Sequence, residues 1–146
     1  MNLSLAYSPC PNDTFAFHAM VNQLIDCEGL TFNEVLLDIE ELNRAAVKEQ
    51  FEICKMSYHA YFTVADRYIM LPVGSALGYG NGPLLVASKG SPLFGNDGEI
   101  DWSTLEKGHI LTPGELTTAS LLLKVLFPKI ERVSPTLFST IAERVA

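Results

Sequence analysis

The sequence has 146 residues, of which 48% are hydrophobic and 18% charged, and its net charge at pH 7 is −7. This length and composition predict a folded chain with a hydrophobic core and argue against intrinsic disorder. The negative charge argues against binding to nucleic acid or to an anionic membrane surface, because both need a cationic face.

The cysteine pattern and the N-terminus indicate where the protein works. Cys10, Cys27 and Cys54 are widely spaced and form no CxxC pair, which favours neither a disulfide framework nor a zinc site. The N-terminus lacks the basic segment and long apolar run of a signal peptide, and no run approaches the ~20 apolar residues of a membrane span. We therefore expect a cytoplasmic protein.

The first part of the chain alternates strand-like and helix-like segments. The strands are predicted at 3–6, 30–37 and 51–56, and the helices after Asn12 or Asp13, after Asp38 and after Ser57. Asp38 followed by Glu41 is close to a capping box, which favours a helix start at that point. The alternation with short connections predicts an α/β fold with a mainly parallel sheet.

The second part repeats this pattern after a break. A glycine-rich stretch and an apolar strand at 84–87 precede a polar segment at 89–100, the best internal boundary. We therefore divide the chain into a first α/β unit at 1–88 and a linker with the first part of a second unit at 89–146. Strands at 109–111 and 132–133 and helices at 119–126 and 137–145 are predicted there. A sheet of two strands does not usually stand alone, so this ending resembles part of a longer pattern.

The turn SPCPND follows the first predicted strand. Pro9 and Pro11 restrict the backbone on either side of Cys10, at the edge where open α/β sheets bind ligands. The residues alone leave two interpretations open, a ligand-binding turn and a purely local connection. Cys10 as a nucleophile would need a nearby base, and none is visible, so an inert thiol is the better interpretation.

Small polar residues recur at two further strand-to-helix turns. Lys55 and Ser57 stand between the third strand and its helix, where they could offer a charge and a hydroxyl to a ligand. The residues alone favour the other interpretation, a solvated lysine and a plain N-cap serine. Thr117 and Thr118, in TPGELTTA, either cap a helix or bind a carboxylate or phosphate at its N-terminus. Because such turns lie on both sides of the linker, they predict a ligand cleft between two α/β units.

Four motifs, SPCPNDTF, KMSYHAY, ALGYGNGP and TPGELTTA, together resemble the 1,4-dihydroxy-6-naphthoate synthase family of the futalosine route to menaquinone. They occur in the order of the family along essentially the whole chain, and the first is close to diagnostic. The chorismate dehydratases of the same pathway share the fold but not SPCPNDTF in this form. The resemblance implies a two-lobed α/β fold like that of type II periplasmic binding proteins, here incomplete, with the substrate in the cleft.

The resemblance also implies a reaction and a set of binding residues. The reaction would be a carbon–carbon lyase step that converts cyclic dehypoxanthinyl futalosine to 1,4-dihydroxy-6-naphthoate, with no cofactor and no metal. The implied binding residues are a Lys–x–Ser stretch, a threonine pair and the polar members of the first turn, namely Lys55, Met56, Ser57, Thr117, Thr118, Asn12 and Asp13.

One departure from the family concerns catalysis. The proposed base of family members is a histidine in an Ile-His-Glu type segment, and this sequence ends at Ala146 before that position. None of its histidines, His18, His59 and His109, matches it, so the catalytic residue stays unassigned. We expect little turnover from these residues alone, because a positioned base contributes a factor of about 10²–10⁴ in rate.

Two other functions stay open. The first is a cytoplasmic binding module for a small carboxylate, built on the same fold but without catalysis. The second, with less support, is a hydrolase dependent on Cys10. In each case, exposed sheet edges and apolar surface would favour association of the chain into a homodimer.

Overall fold

The computed structural model describes residues 1–76, 79–80, 82–95 and 98–145. The predicted α/β class is confirmed, since these residues form two small parallel sheets and six α-helices. Three positions of the glycine-rich motif, Leu77, Gly78 and Asn81, lie outside the described residues.

Strands and helices alternate along most of the chain. In order, the elements are β1 (Asn2–Tyr7), α1 (Pro11–Val21), β2 (Thr31–Leu36), α2 (Ile39–Val47), β3 (Ile53–Cys54), α3 (Tyr58–Val64), α4 (Trp102–Lys107), β4 (His109–Thr112), α5 (Thr118–Leu126), β5 (Arg132–Pro135) and α6 (Ile141–Val145). A single 3₁₀ turn at Phe138–Thr140 precedes α6.

The first sheet has β1 at its centre, with β2 and β3 parallel to it on either side. The inner residues of β1, Leu5, Ala6 and Tyr7, are almost completely buried, as expected for the central strand of a covered parallel sheet. The ring of Tyr7 packs against that of Phe17 with centroids 4.7 Å apart. Burial, followed by a hydrogen bond to Glu34, raises the pKa of the Tyr7 phenol, so it stays protonated.

Helix α2 packs against β1 and α3 through small and apolar side chains. Leu42 and Ala46 are fully buried on α2, and Ala60 and Val64 are fully buried on α3. Small side chains let two helices approach closely, and close packing raises the cost of changing volume at these positions.

The second sheet consists of β4 and β5, which pair in parallel from His109↔Arg132 to Thr112↔Pro135. Helix α5 follows β4 and contacts α3 of the first unit. The turn between β4 and α5 is thereby placed close to the helices that cover the first sheet.

The structure corrects several local predictions. Helix α1 begins at Pro11 with Cys10 as its N-cap, so the predicted cap at Asn12 or Asp13 is wrong. The predicted strand at 84–87 is also wrong, because no described segment pairs with it and Leu84 is 86% exposed. Helix α4, capped by Asp101, lies just after the predicted linker and was not predicted. Within the described part of the chain, no helix is long and apolar enough to cross a membrane.

The capping box of α2 is confirmed and gives a stability prediction. The Asp38 carboxylate accepts a hydrogen bond from the Glu40 N–H at 3.1 Å, and the Glu41 carboxylate accepts one from the Asp38 N–H at 3.1 Å. Replacing Asp38 with alanine should lower the free energy of unfolding by about 1 kcal/mol. Urea titration measures this, with Glu131→Ala, an exposed carboxylate in a loop, as the control. Equal effects of the two substitutions would contradict the assigned role of the cap.

Candidate functional site

An ion pair joins the first turn of α1 to the residue after β3. The Lys55 ammonium is hydrogen-bonded to the Asp13 carboxylate, which also accepts hydrogen bonds from the Ser8 hydroxyl at 2.7 Å and the Asn12 amide at 3.0 Å. The side chain of Asp13 is only 6% exposed, whereas that of Lys55 is 23% exposed. Asp13 is therefore enclosed by donors and holds Lys55 in place, while Lys55 keeps an accessible face.

Ser57 begins α3 and is held by a residue of α2. The Ser57 N–H donates to the Asn43 side-chain oxygen at 2.9 Å, and the Asn43 amide nitrogen donates to the Ser57 hydroxyl at 3.1 Å. Asn43 is fully buried, and Ser57 is partly exposed. The hydroxyl thus has one fixed partner inside the protein.

The turn between β4 and α5 is closed by its own hydroxyl groups. The buried Thr117 hydroxyl donates to the Gly114 carbonyl at 2.9 Å and accepts from the Ser120 N–H at 3.3 Å, which caps α5. Thr117 is therefore a structural cap. Thr118 is less buried, and its side chain is the accessible one of the pair.

Hydrogen bonds from α2 and α3 fix this turn against those two helices. The Glu40 carboxylate accepts a hydrogen bond from the Leu116 N–H at 3.2 Å, and Nδ1 of His59 lies 3.2 Å from the Thr117 carbonyl. Gly114 lies against Glu40 so closely that an added Cβ would clash with the Glu40 carboxylate. The turn TPGELTT can take this position only because residue 114 has no side chain.

A cavity of about 1080 Å³ lies beside these groups. Four of the predicted binding residues line it, Lys55, Met56, Ser57 and Thr118. Its other walls are mainly aromatic and apolar and include Phe17, Met20, Tyr58, Tyr61, Met70, Leu71 and Val73. A pocket that combines apolar walls with a few converging polar groups is typical of a site for a small organic molecule.

Asn12, Asp13 and Thr117 are not among the cavity-lining residues. Their polar atoms bond to neighbouring protein groups instead. Asn12 and Asp13 hold Lys55 in place, and Thr117 closes the turn before α5. A second cavity of about 910 Å³ lies between residues 82–93 and α5, and it contains none of the predicted binding residues.

Sequence reasoning missed Asn43, Glu40 and Gly114 as supporting residues. Asn43 lies four residues after Ile39 and three before Ala46, so it falls within the predicted inner stripe of α2. A polar residue in an apolar stripe needs a buried partner, and this signal was present in the sequence. The partners of Glu40 and Gly114 come from distant segments, and no local pattern indicates them.

Cys54 lies next to Lys55, but burial raises the pKa of its thiol to about 11, so the reactive thiolate is scarce at neutral pH. Across the described ranges, no group of three or more His, Cys, Asp and Glu side chains could hold a metal ion.

Comparison with known proteins gives one family and several relatives. A family model for menaquinone biosynthesis matches residues 3–145. Two curated proteins named 1,4-dihydroxy-6-naphthoate synthase match over 123 residues, one from Thermus thermophilus at 42% identity and one from Streptomyces coelicolor at 32%. Each match covers 84% of this chain but only 41% and 39% of the relatives, so the chain spans about two-fifths of their length.

A solved structure supports the arrangement of the elements. The crystal structure of a protein from Archaeoglobus fulgidus matches with a TM-score of 0.79 and 34% identity. The match covers 99% of this chain and 49% of that chain. The two sheets and their connecting turns therefore correspond to about half of the Archaeoglobus fulgidus chain.

The ion pair behind the cavity predicts a coupled stability effect. Lys55→Met leaves the buried Asp13 carboxylate without its cation and should lower the free energy of unfolding by about 2–3 kcal/mol. Adding Asp13→Asn should recover part of this loss, because no unpaired charge is then left. Urea titrations of the single and double variants measure the coupling, with the exposed Lys89→Met as control. Strictly additive losses would refute the pairing.

The contact between Gly114 and Glu40 predicts a steric effect. Gly114→Ala should lower the free energy of unfolding by about 1–3 kcal/mol, because Glu40 must move and lose its bond to Leu116. Gly90→Ala is the matched control, since Gly90 also has a positive φ, of 86°, but nothing lies within 4 Å of its added Cβ. Thermal melts of both variants measure the difference. If Gly114→Ala had the same thermal midpoint as the wild-type chain, the turn would not be in close contact with Glu40.

Proposed function

The chain belongs to the menaquinone biosynthesis family, and we propose that it forms the substrate-binding part of a 1,4-dihydroxy-6-naphthoate synthase. The proposed reaction is the lyase step that converts cyclic dehypoxanthinyl futalosine to 1,4-dihydroxy-6-naphthoate. The observation that carries the proposal is the cavity in which Lys55, Ser57 and Thr118 meet aromatic and apolar walls.

The chemistry of the product suits this combination. Its carboxylate needs hydrogen-bond donors, and the Lys55 ammonium has three N–H groups, of which Asp13 engages one. The hydroxyls of Ser57 and Thr118 are further candidate donors on the same cavity wall. The flat bicyclic ring would pack against aromatic side chains such as Tyr58 and Tyr61, which contribute large apolar area.

We further propose that the two sheets belong to the two lobes of a cleft like that of type II periplasmic binding proteins. In this proposal residues 1–88 form the first lobe, and residues 89–146 form the linker and the first part of the second. The contact between α3 and α5 and the bonds from Glu40 and His59 to the α5 turn support a ligand site at the junction of the two units. The cytoplasm is the proposed location, and the free state of Cys10, Cys27 and Cys54 supports a reducing compartment.

We propose that residues 1–146 bind the substrate without supplying the catalytic base. Within the part of the chain that the structure describes, no histidine lines the cavity beside Lys55. His18 is hydrogen-bonded to Asn22 and His109 to Ser134, away from this cavity. A carboxylate-binding module without catalysis is the second candidate function, and the same observation favours it. Calorimetric titration with cyclic dehypoxanthinyl futalosine separates the two, because a synthase site should bind this substrate and a general carboxylate-binding module should not.

Binding of the product gives the direct test. With 1,4-dihydroxy-6-naphthoate at a hundredfold excess over Kd, the folded chain should gain about 2.7 kcal/mol, seen as a higher thermal midpoint. Lys55→Met should abolish most of this shift, because it removes the cation that lies beside Ser57 on the cavity wall, whereas Lys89→Met should keep it. 1,4-Dihydroxynaphthalene, which lacks the carboxylate, should give a much smaller shift with the wild-type chain. A cooperative melt that the naphthoate leaves unmoved would contradict the proposed function.

A further inference from the structure

The buried residue Asn43 determines how the Ser57 hydroxyl can act. A backbone N–H can only donate, so the Asn43 oxygen must be the atom that faces the Ser57 N–H at 2.9 Å. The other end of the amide, its NH₂ group, then lies 3.1 Å from the Ser57 hydroxyl oxygen. This pair of bonds fixes the orientation of the amide, and the hydroxyl oxygen is an acceptor toward Asn43.

The proton of the Ser57 hydroxyl is therefore left for another acceptor. A serine at the N-cap usually accepts a hydrogen bond from the first turn of its helix, but Ser57 makes no such bond to α3. Among the residues that the structure describes, its hydroxyl donates to no protein atom. Ser57 is partly exposed and lines the 1080 Å³ cavity beside Lys55, so a ligand can supply the missing acceptor.

We propose that Asn43 is a positioning residue that fixes the Ser57 hydroxyl as a hydrogen-bond donor to a carboxylate oxygen of the ligand. This inference rests on the proposed function and adds the direction of one hydrogen bond and the residue that sets it. Asn43 does not line the cavity itself and acts only through Ser57. The arrangement favours an acceptor such as a carboxylate over a ligand group that only donates, because the hydroxyl oxygen is already engaged.

The test is a double-mutant cycle with the full chain and 1,4-dihydroxy-6-naphthoate, measured by isothermal titration calorimetry. Asn43→Leu keeps the side-chain volume and removes both bonds to Ser57, which frees the hydroxyl to turn toward the N–H groups of α3. Asn43→Leu and Ser57→Ala should each weaken binding about tenfold, the loss typical of one hydrogen bond to a charged group. The double variant should bind no more weakly than either single variant. Asn43→Ala serves in the same cycle if Asn43→Leu does not melt cooperatively.

Two further ligands report which group Ser57 contacts. Binding of 2-naphthoate, which keeps the carboxylate and lacks the ring hydroxyls, should be weakened by Asn43→Leu to the same extent as binding of the product. Binding of 1,4-dihydroxynaphthalene should be unchanged by that substitution. A role confined to stability would lower the thermal midpoint and would affect all three ligands alike.

The outcomes that would refute the positioning role of Asn43 differ from the outcome that would refute the proposed function. If the wild-type chain binds the naphthoate but the effects of Asn43→Leu and Ser57→Ala are additive, the positioning role is wrong and the proposed function stands. The same holds if Asn43→Leu leaves the affinity unchanged. If the wild-type chain melts cooperatively but binds no naphthoate, the proposed function is wrong, and the inference that rests on it falls as well.

Discussion

The pairing of β1 with β3 is the constraint on which the candidate site depends. Strand β3 has only two residues, and its register is extended at both ends by further bonds to β1. On one side Ser4 and Glu52 exchange hydrogen bonds at 2.9 Å, and on the other the Lys55 N–H donates to the Ala6 carbonyl at 2.8 Å. A slip of one residue would send Lys55 to the opposite face of the sheet, away from Asp13.

Helix α2 links this edge of the sheet to the rest of the site. Glu40 and Asn43 lie three residues apart and so project on neighbouring sides of the helix. Glu40 holds the turn before α5 through the Leu116 N–H, while Asn43 holds the start of α3 through Ser57. The capping box at Asp38 fixes where α2 begins, and therefore where both side chains point. One helix start thus determines the positions of two segments that line or support the same cavity.

Much of the fold could be predicted from local pattern. Local pattern predicted the ends of β1 and β2 to within one residue and the start of α2 at Asp38, because hydrophobic periodicity and caps are properties of neighbouring residues. The strand predicted at 84–87 failed for the opposite reason. An apolar run becomes a strand only when a neighbour supplies hydrogen bonds, and no neighbouring strand lies beside it in the described structure.

The site was predictable in its members but not in their roles. Lys55, Ser57 and Thr118 line the cavity, whereas Asp13 and Thr117 face protein partners. The motifs name all of these residues together, since each belongs to a turn that follows a strand. Whether a side chain faces the ligand or supports another residue depends on sheet register and on distant partners such as Asn43. The role of each side chain is therefore determined only when these distant segments come into contact in the folded chain.

The same arrangement makes the proposed anion site compatible with a net charge of −7. Two of the described cations line the cavity, and each is paired with a carboxylate, Lys55 with Asp13 and Arg67 with Glu49, so their fields are partly cancelled and attraction over long distance contributes little. What remains is a set of oriented short-range donors, namely the free N–H groups of Lys55 and the hydroxyl of Ser57. Such donors act within hydrogen-bond distance and depend on the position of the acceptor, so they select a ligand by its shape. A buried asparagine that orients one of them therefore matters for recognition, because it fixes where an acceptor must lie relative to the aromatic walls.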